Sequence, residues 1–335
     1  MKFLRLNQWW HAIVPQAMGW VYFCILTGGL VLPEQTQRLL AYVGALFFTA
    51  AFGYLFNDYC DIEADRVAGK KNFVAGLPAA IRLPVVLLVL SAGLLCWALP
   101  QPNLLAHTFY GLQVLLLILY SAPPVRLKNK GLWGVLADAY YGHVNPVLIT
   151  LALFYNPATL VTRGVVFFVF ILLVCLWLKG LRNILVHQIE DRKKDRHANT
   201  QTYVIEKGPV YALTLVNRLL VPEVVCTLLL AICLAVLFPP IIVAVVMFAV
   251  ITYLKFSGWK LAYLPRRQLR FKFLYFLNDF FEQWLPVFLL IILTVAQKQY
   301  WVLLVFHVVL FPRFVTDLFK DFKQIAENFK TEEDY

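Results

Sequence analysis

Two stretches of this sequence concentrate acidic side chains at fixed spacing. The first is Asn57-Asp58-Tyr59-Cys60-Asp61-Ile62-Glu63-Ala64-Asp65, and the second is His187-Gln188-Ile189-Glu190-Asp191-Arg192-Lys193-Lys194-Asp195. On a helix, Asn57, Asp61 and Asp65 fall one turn apart, as do His187, Asp191 and Asp195, so each stretch lines its oxygens along one face. Glu63 falls off that face. Carboxylates packed this closely repel one another, and a hard divalent cation relieves the repulsion. Mg²⁺ takes one or two carboxylates together with waters and phosphate oxygens, which suits a diphosphate substrate. The bland account of either stretch alone is a solvated helix end; two of them with matching spacing point to a site.

A third element, Tyr120-Ser121-Ala122-Pro123-Pro124-Val125-Arg126-Leu127-Lys128, stiffens a loop with two prolines and presents Arg126 and Lys128 two residues apart, cations suited to diphosphate oxygens. Taken alone it would be an ordinary basic loop beside a membrane.

These residues must be positioned by elements that cross a bilayer. Of the 335 residues, 61% are hydrophobic, and the mean hydropathy is +0.71. A soluble domain is nearer 45–50% apolar. The excess lies in runs long enough to span, expected at 12–32, 39–56, 83–100, 103–121, 132–154, 161–183, 209–237, 239–256, 274–296 and 299–316. The fold class expected is an all-α bundle of about nine to ten spans around a central cavity. Residues 1–316 form one domain in this reading, and 317–335 a polar cytoplasmic tail. The apolar run after Lys2 and Arg5 is read as a first helix, with no cleaved signal.

Assigning the loops alternately, with the N-terminus inside, puts 26 of the 30 Lys and Arg residues on the cytoplasmic side, Lys179 and Arg182 among them. The positive-inside rule then sets the orientation, with both termini cytoplasmic in a bacterial-type inner membrane. Four spans separate the acidic stretches, so both open on that side. The formal charge of +11 reads as cytoplasmic loops and anionic lipid rather than nucleic acid. The six cysteines form no disulfide or metal framework.

Further polar residues sit within spans. Asp138 opens the fifth, with Tyr141, Gly142 and Asn145 on its face, and could orient an acceptor or act through Arg126; a buried interhelical hydrogen bond is the other account. Glu223 is expected to meet Arg218 or a neighbouring helix. Asn278, Asp279 and Glu282 could line an acceptor entrance or cap a helix. Phe52, Tyr54, Phe56 and Tyr59 could face a carbocation or simply pack.

Together these stretches resemble the UbiA-type intramembrane prenyltransferase superfamily. Asn57 to Asp65 fits its first motif, NDxxDxxxD, without mismatch. Asp191 to Asp195 fits the DxxxD of the second, and YSAPPVRLK resembles its basic loop. The resemblance covers roughly residues 10–260. It implies Mg²⁺ held by Asn57, Asp58, Asp61, Asp65, Asp191 and Asp195, with Arg126, Lys128 and Asn57 on the diphosphate. Asp61, Asp65, Asp191 and Asp195 would serve ionisation to an allylic cation, which a small aromatic or quinone-precursor acceptor captures. Asp138, Asn145, His187 and Asp279 would stand on the acceptor side. The chain departs from the pattern at His187, where many members have Tyr, and in DRVAGKKNF, which lacks their Arg-Pro pair. These departures leave the acceptor open. An intramembrane terpene cyclase would share the ionising half; a lipid-binding or transport protein would show internal repeats or paired broken helices, and the sequence has neither.

Overall fold

The computed structural model describes residues 9–28, 32–155, 163–198, 200–259 and 275–333. Lys2, Arg5 and the basic residues Lys260, Arg266, Arg267, Arg270 and Lys272, all assigned to the cytoplasmic side by sequence, lie outside them. The described chain is helical throughout, and its one bridge pairs Gly131 with Thr202. The helices are α1 (Ile13–Gly28), α2 (Leu32–Cys60), α3 (Ile62–Val67), α4 (Ala79–Ala98), α5 (Leu104–Ser121), α6 (Leu132–Ala139), α7 (Asn145–Phe154), α8 (Arg163–His197), α9 (Tyr203–Lys207), α10 (Pro209–Leu237), α11 (Ile241–Trp259), α12 (Phe276–Asp279), α13 (Leu285–Ala296), α14 (Trp301–Leu310) and α15 (Arg313–Glu333).

Among the described residues six helices are long and apolar enough to cross a membrane: Gln35–Cys60, Ala79–Ala98, Leu104–Ser121, Val165–His197, Pro209–Leu237 and Phe276–Ala296. A seventh is counted if Lys298–Leu310 and Arg313–Lys323, bent by 67°, make one span. By length and composition the described residues thus give six or seven spans, against the nine to ten expected. Ile13–Gly28 and Ile241–Leu254 are apolar but shorter, and the tenth run stops at Leu310 and turns. Beyond the turn, α15 is amphipathic, so the division expected at 316 falls inside a helix.

Two segments depart from α geometry. Tyr140–Val144 between α6 and α7, and Phe280–Trp284 between α12 and α13, are π-helical. Each π turn widens the helix and rotates the residues beyond it, and such turns gather at functional sites. Close approach of helices is set by small residues, as in other membrane bundles. A Cβ on Gly180 would lie 2.8 Å from the Ala139 backbone, so only glycine lets α8 press against the end of α6. That contact carries Asn183 and His187 toward the first π segment, where Asn183 Nδ2 lies 3.4 Å from His143 Nε2.

The bundle interior also holds charge. Lys179 and Arg182, counted on the cytoplasmic side in sequence, are fully buried. Lys179 Nζ donates to Glu282 Oε1 at 2.9 Å, and Arg182 Nη2 donates to Glu223 Oε1 at 2.7 Å. Glu223 thus finds its partner on a neighbouring helix rather than in Arg218. Long charged side chains stay buried only when paired in this way.

Candidate active site

The cavity of this bundle has a volume of about 1160 Å³. Along α2, Tyr42, Leu46, Thr49, Gly53 and Asn57 line it at helical spacing. Fifteen steps of 1.5 Å from Tyr42 to Asn57 make this stripe about 22 Å long, apolar through most of its length and polar at the Asn57 end. Asp61 and Asp65 continue it, and α8 supplies His187, Asp191 and Asp195 from the facing wall. Both acidic stretches therefore open into one cavity.

The helix breaks at Asp61, which has φ −104° and ψ 7°. The spacing survives the break: the Asp61 amide still donates to the Asn57 carbonyl at 3.0 Å, and the Asp65 amide to the Asp61 carbonyl at 2.8 Å. Asn72 holds the end of the stretch by donating to Asp65 Oδ2 at 2.8 Å.

The basic loop closes on this stretch. Arg126 has φ 40° and ψ 62°, in the left-handed region, at a cost of roughly 1–2 kcal/mol for a residue with a side chain. There Arg126 Nη2 donates to Asp61 Oδ1 at 2.6 Å. Lys128 Nζ donates to Asp61 Oδ2 and, at 2.8 Å, to Asn57 Oδ1. Ser121 Oγ donates to the same Asn57 oxygen at 3.1 Å. Lys128 is 8% exposed, and burial pushes its ammonium below the ordinary lysine range while Asp61 opposes the shift.

On the facing wall, Lys194 Nζ donates to Asp191 Oδ1 at 2.6 Å, and His187 Nε2 lies 3.8 Å from Asp191 Oδ2. Lys70 Nζ lies 3.8 Å from Asp195 Oδ1 and joins the loop after the first stretch to the second. Lys70 was not singled out from sequence; a cation five residues past Asp65 was the signal available.

Of the twelve residues assigned from sequence to metal, diphosphate or acceptor, nine line the cavity: Asn57, Asp61, Asp65, Lys128, Asp138, His187, Asp191, Asp195 and Asp279. Three do not. Asp58 is 2% exposed and lies off the lined face, because one residue along a helix turns by 100°. Arg126 acts on the wall from behind, through Asp61. Asn145 is buried behind the wall, where its Nδ2 donates to Gln113 Oε1 at 2.8 Å. Asp138 and Asn145 share a face only at 3.6 residues per turn, and the π segment between them removes that phase.

At the other side of the opening, Asp279 and Glu282 meet α15. Arg313 Nη2 lies 3.6 Å from Asp279 Oδ1, and Arg313 Nε donates to Asp317 Oδ2 at 3.1 Å. Arg313, Asp317, Lys320 and Asp321 line the cavity. The segment read as a polar tail thus contributes to the wall.

The donor chemistry fits Mg²⁺. The polar end offers hard carboxylate and amide oxygens on two facing walls, and Asp61 already draws two cations. Among the described residues no three His, Cys, Asp or Glu side chains gather as a ready-made metal cluster; Mg²⁺ bound with substrate phosphates needs only one or two carboxylates.

A family model for the UbiA prenyltransferase family matches residues 12–279. The chain belongs to this family. It is an integral membrane prenyltransferase, and the UbiA resemblance of its three motifs is carried by the whole matched region. No curated protein matches it. Solved UbiA structures share its fold. A UbiA homolog from Archaeoglobus fulgidus bound to DMAPP and Mg²⁺ superposes with a TM-score of 0.58 at 17% identity, covering 86% of this chain and 97% of that one. The same homolog bound to GPP and Mg²⁺ gives the same score over 86% and 98%. A digeranylgeranylglyceryl phosphate synthase structure gives 0.55 at 18% identity over 86% and 96%. The helix α15 lies beyond the family match.

Proposed function

We propose that this UbiA-family protein transfers a prenyl group from an isoprenyl diphosphate to a small aromatic or quinone-precursor acceptor, with Mg²⁺ as its metal. One observation carries this reading: both acidic stretches and Lys128 line the polar end of one cavity whose other end is apolar. The Archaeoglobus fulgidus homolog's complexes with Mg²⁺ and DMAPP or GPP support it.

In this reading Asn57, Asp61, Asp65, Asp191 and Asp195 hold the metal. Mg²⁺ supplies charge that offsets the negative charge growing on the departing diphosphate. Lys128 adds a cation to the same oxygens, and Arg126 keeps Asp61 in place. The stripe along α2 shelters the prenyl tail from water, so the allylic cation meets its acceptor before it meets solvent. The acceptor enters past His187 and Asp279. Both termini and the opening face the cytoplasm, the side that collects most of the basic loop residues.

The test is product identification. Purified protein in lipid is incubated with Mg²⁺, a series of prenyl diphosphates and a panel of phenolic and naphthoic acceptors, and products are identified by mass. A prenylated acceptor, lost in excess chelator and regained with Mg²⁺, is the expected result. A cyclic hydrocarbon formed from diphosphate alone would replace this reading with a cyclase, and full activity in chelator would remove the metal.

A further inference from the structure

Asp138 is a cavity carboxylate that the binding of metal and diphosphate leaves unused. It lines the cavity, yet it makes no ion pair among the described residues. Asp61, Asp191, Asp195, Asp279 and Glu282 all face a cation. The partner of Asp138 is a phenol: Tyr141 Oη donates to Asp138 Oδ2 at 2.7 Å. The Tyr141 ring meets that of Tyr120 edge to face at 5.2 Å, and both tyrosines line the cavity.

The neighbours of this group fix its position. Tyr120 precedes Ser121, which donates to Asn57 at the polar end. Gln113, two turns earlier on α5, donates to the Tyr141 carbonyl at 3.0 Å and lies on the side leading to the apolar stripe. Asp138 and Tyr141 therefore sit where the polar end meets the apolar tunnel. The π segment holds Tyr141 there with a wider turn. A Cβ on Gly142 would stand 4.0 Å from Asp138 Oδ1, which places the two residues beside each other on the cavity wall.

We infer that Asp138 is the base of the transfer step, receiving the proton released when the prenyl cation is quenched, with Tyr141 as its positioning residue. This rests on the prenyl-transfer reading above. The C1–O bond of the prenyl diphosphate breaks, and its electron pair leaves with the diphosphate. A π pair of an electron-rich aromatic acceptor forms the new bond to C1. The C–H pair of the attacked carbon then restores the ring, and its proton goes to the Asp138 carboxylate. A carboxylate free of cations is the better acceptor for that proton, because a neighbouring positive charge lowers its basicity.

The same base can be read without knowing the acceptor. Incubated with geranyl diphosphate and Mg²⁺ alone, the geranyl cation has two exits. It adds water to give an alcohol, or it loses a methyl proton to a base to give an acyclic triene. The ratio of triene to alcohol reports the base at the cation, and it does not depend on how much protein is folded. Wild-type protein should give measurable triene. D138N should lower the triene-to-alcohol ratio at least tenfold, and Y141F should lower it less. Alcohol as the only wild-type product, or an unchanged ratio in D138N, would overturn the assignment while leaving prenyl transfer intact. No release of diphosphate by the wild-type protein would instead remove the parent reading, and the assignment with it.

Discussion

Lys128 Nζ donates to Asn57 Oδ1 at 2.8 Å across 71 positions of sequence. This bond fastens the basic loop to the first acidic stretch, and the same ammonium reaches Asp61. One buried cation therefore touches two of the residues proposed to hold metal, and it stands where diphosphate oxygens would gather.

Removing that cation should weaken substrate binding more than folding. A hydrogen bond to a charged group contributes about 1.5–3 kcal/mol, so Lys128→Gln should lower kcat/KM by about 10–100-fold, mostly through KM for the prenyl diphosphate. Lys128→Arg should recover only part of it, since a planar fork does not replace a point charge in a tight site. Steady-state kinetics on the two variants checks this. An unchanged KM in Lys128→Gln would place the lysine in a structural role only.

The side of the membrane can be tested on the loops themselves. Residues 57–71, 121–131 and 187–200 should all be shielded from a membrane-impermeant thiol reagent applied outside intact cells. Single cysteines introduced at exposed Lys193, Val125 and Arg66 should react only after the cells are opened. Labelling of any of the three from outside would reverse the orientation proposed for the cavity.

Much of the site was legible because it depends on local spacing. Asn57, Asp61 and Asp65 keep their i, i+4 relation even where the helix breaks, since the two backbone bonds across the break are helical. Asp191 and Asp195 lie in the uninterrupted α8. The features that the sequence did not disclose depend on long-range contact or altered period. Asn145 leaves the face of Asp138 because five residues between them are π-helical. Lys179 and Arg182 count only as cytoplasmic-side cations in sequence, because the partners that bury them, Glu282 and Glu223, lie 103 and 41 positions away. The wall residues Arg313 and Asp317 come after a 67° turn at Phe311 and Pro312; the proline marks a break, but where the helix beyond it packs depends on long-range contact.

The buried pair Arg182–Glu223 makes a prediction about stability. Both side chains are fully buried, with Nε to Oε2 at 2.5 Å, and Arg182 Nη2 also donates to Asn278 Oδ1 at 2.7 Å. Breaking such a pair from one side leaves an uncompensated charge, at a cost of about 3–5 kcal/mol. Glu223→Ala should therefore lower the thermal midpoint in detergent sharply. Arg182→Met combined with Glu223→Leu should recover much of the loss, because it removes both charges and fills the space. A single variant as stable as wild type would mean that the pair is dispensable to the bundle.

The roles of the two acidic stretches separate in a set of isosteric changes. Asp61→Asn and Asp191→Asn each keep side-chain volume and remove one negative charge. If each carboxylate holds Mg²⁺ against the departing diphosphate, its loss weakens stabilisation that is greatest in the transition state. The rate should fall by about 10²–10³-fold, the scale of removing one preorganised electrostatic contact. The fold should survive, since no cavity is made and both residues face the cavity at its polar end. Glu63→Gln is the control within the same stretch. Its side chain is 71% exposed and paired with Arg66 at 2.6 Å, and exposed pairs of this kind contribute little. That variant should lose less than about tenfold in rate, because Glu63 lies off the face that lines the cavity. Turnover measured with saturating prenyl diphosphate and Mg²⁺ compares the three directly. Near-normal rates in both Asp variants, or equal defects in all three, would show that the metal is held elsewhere.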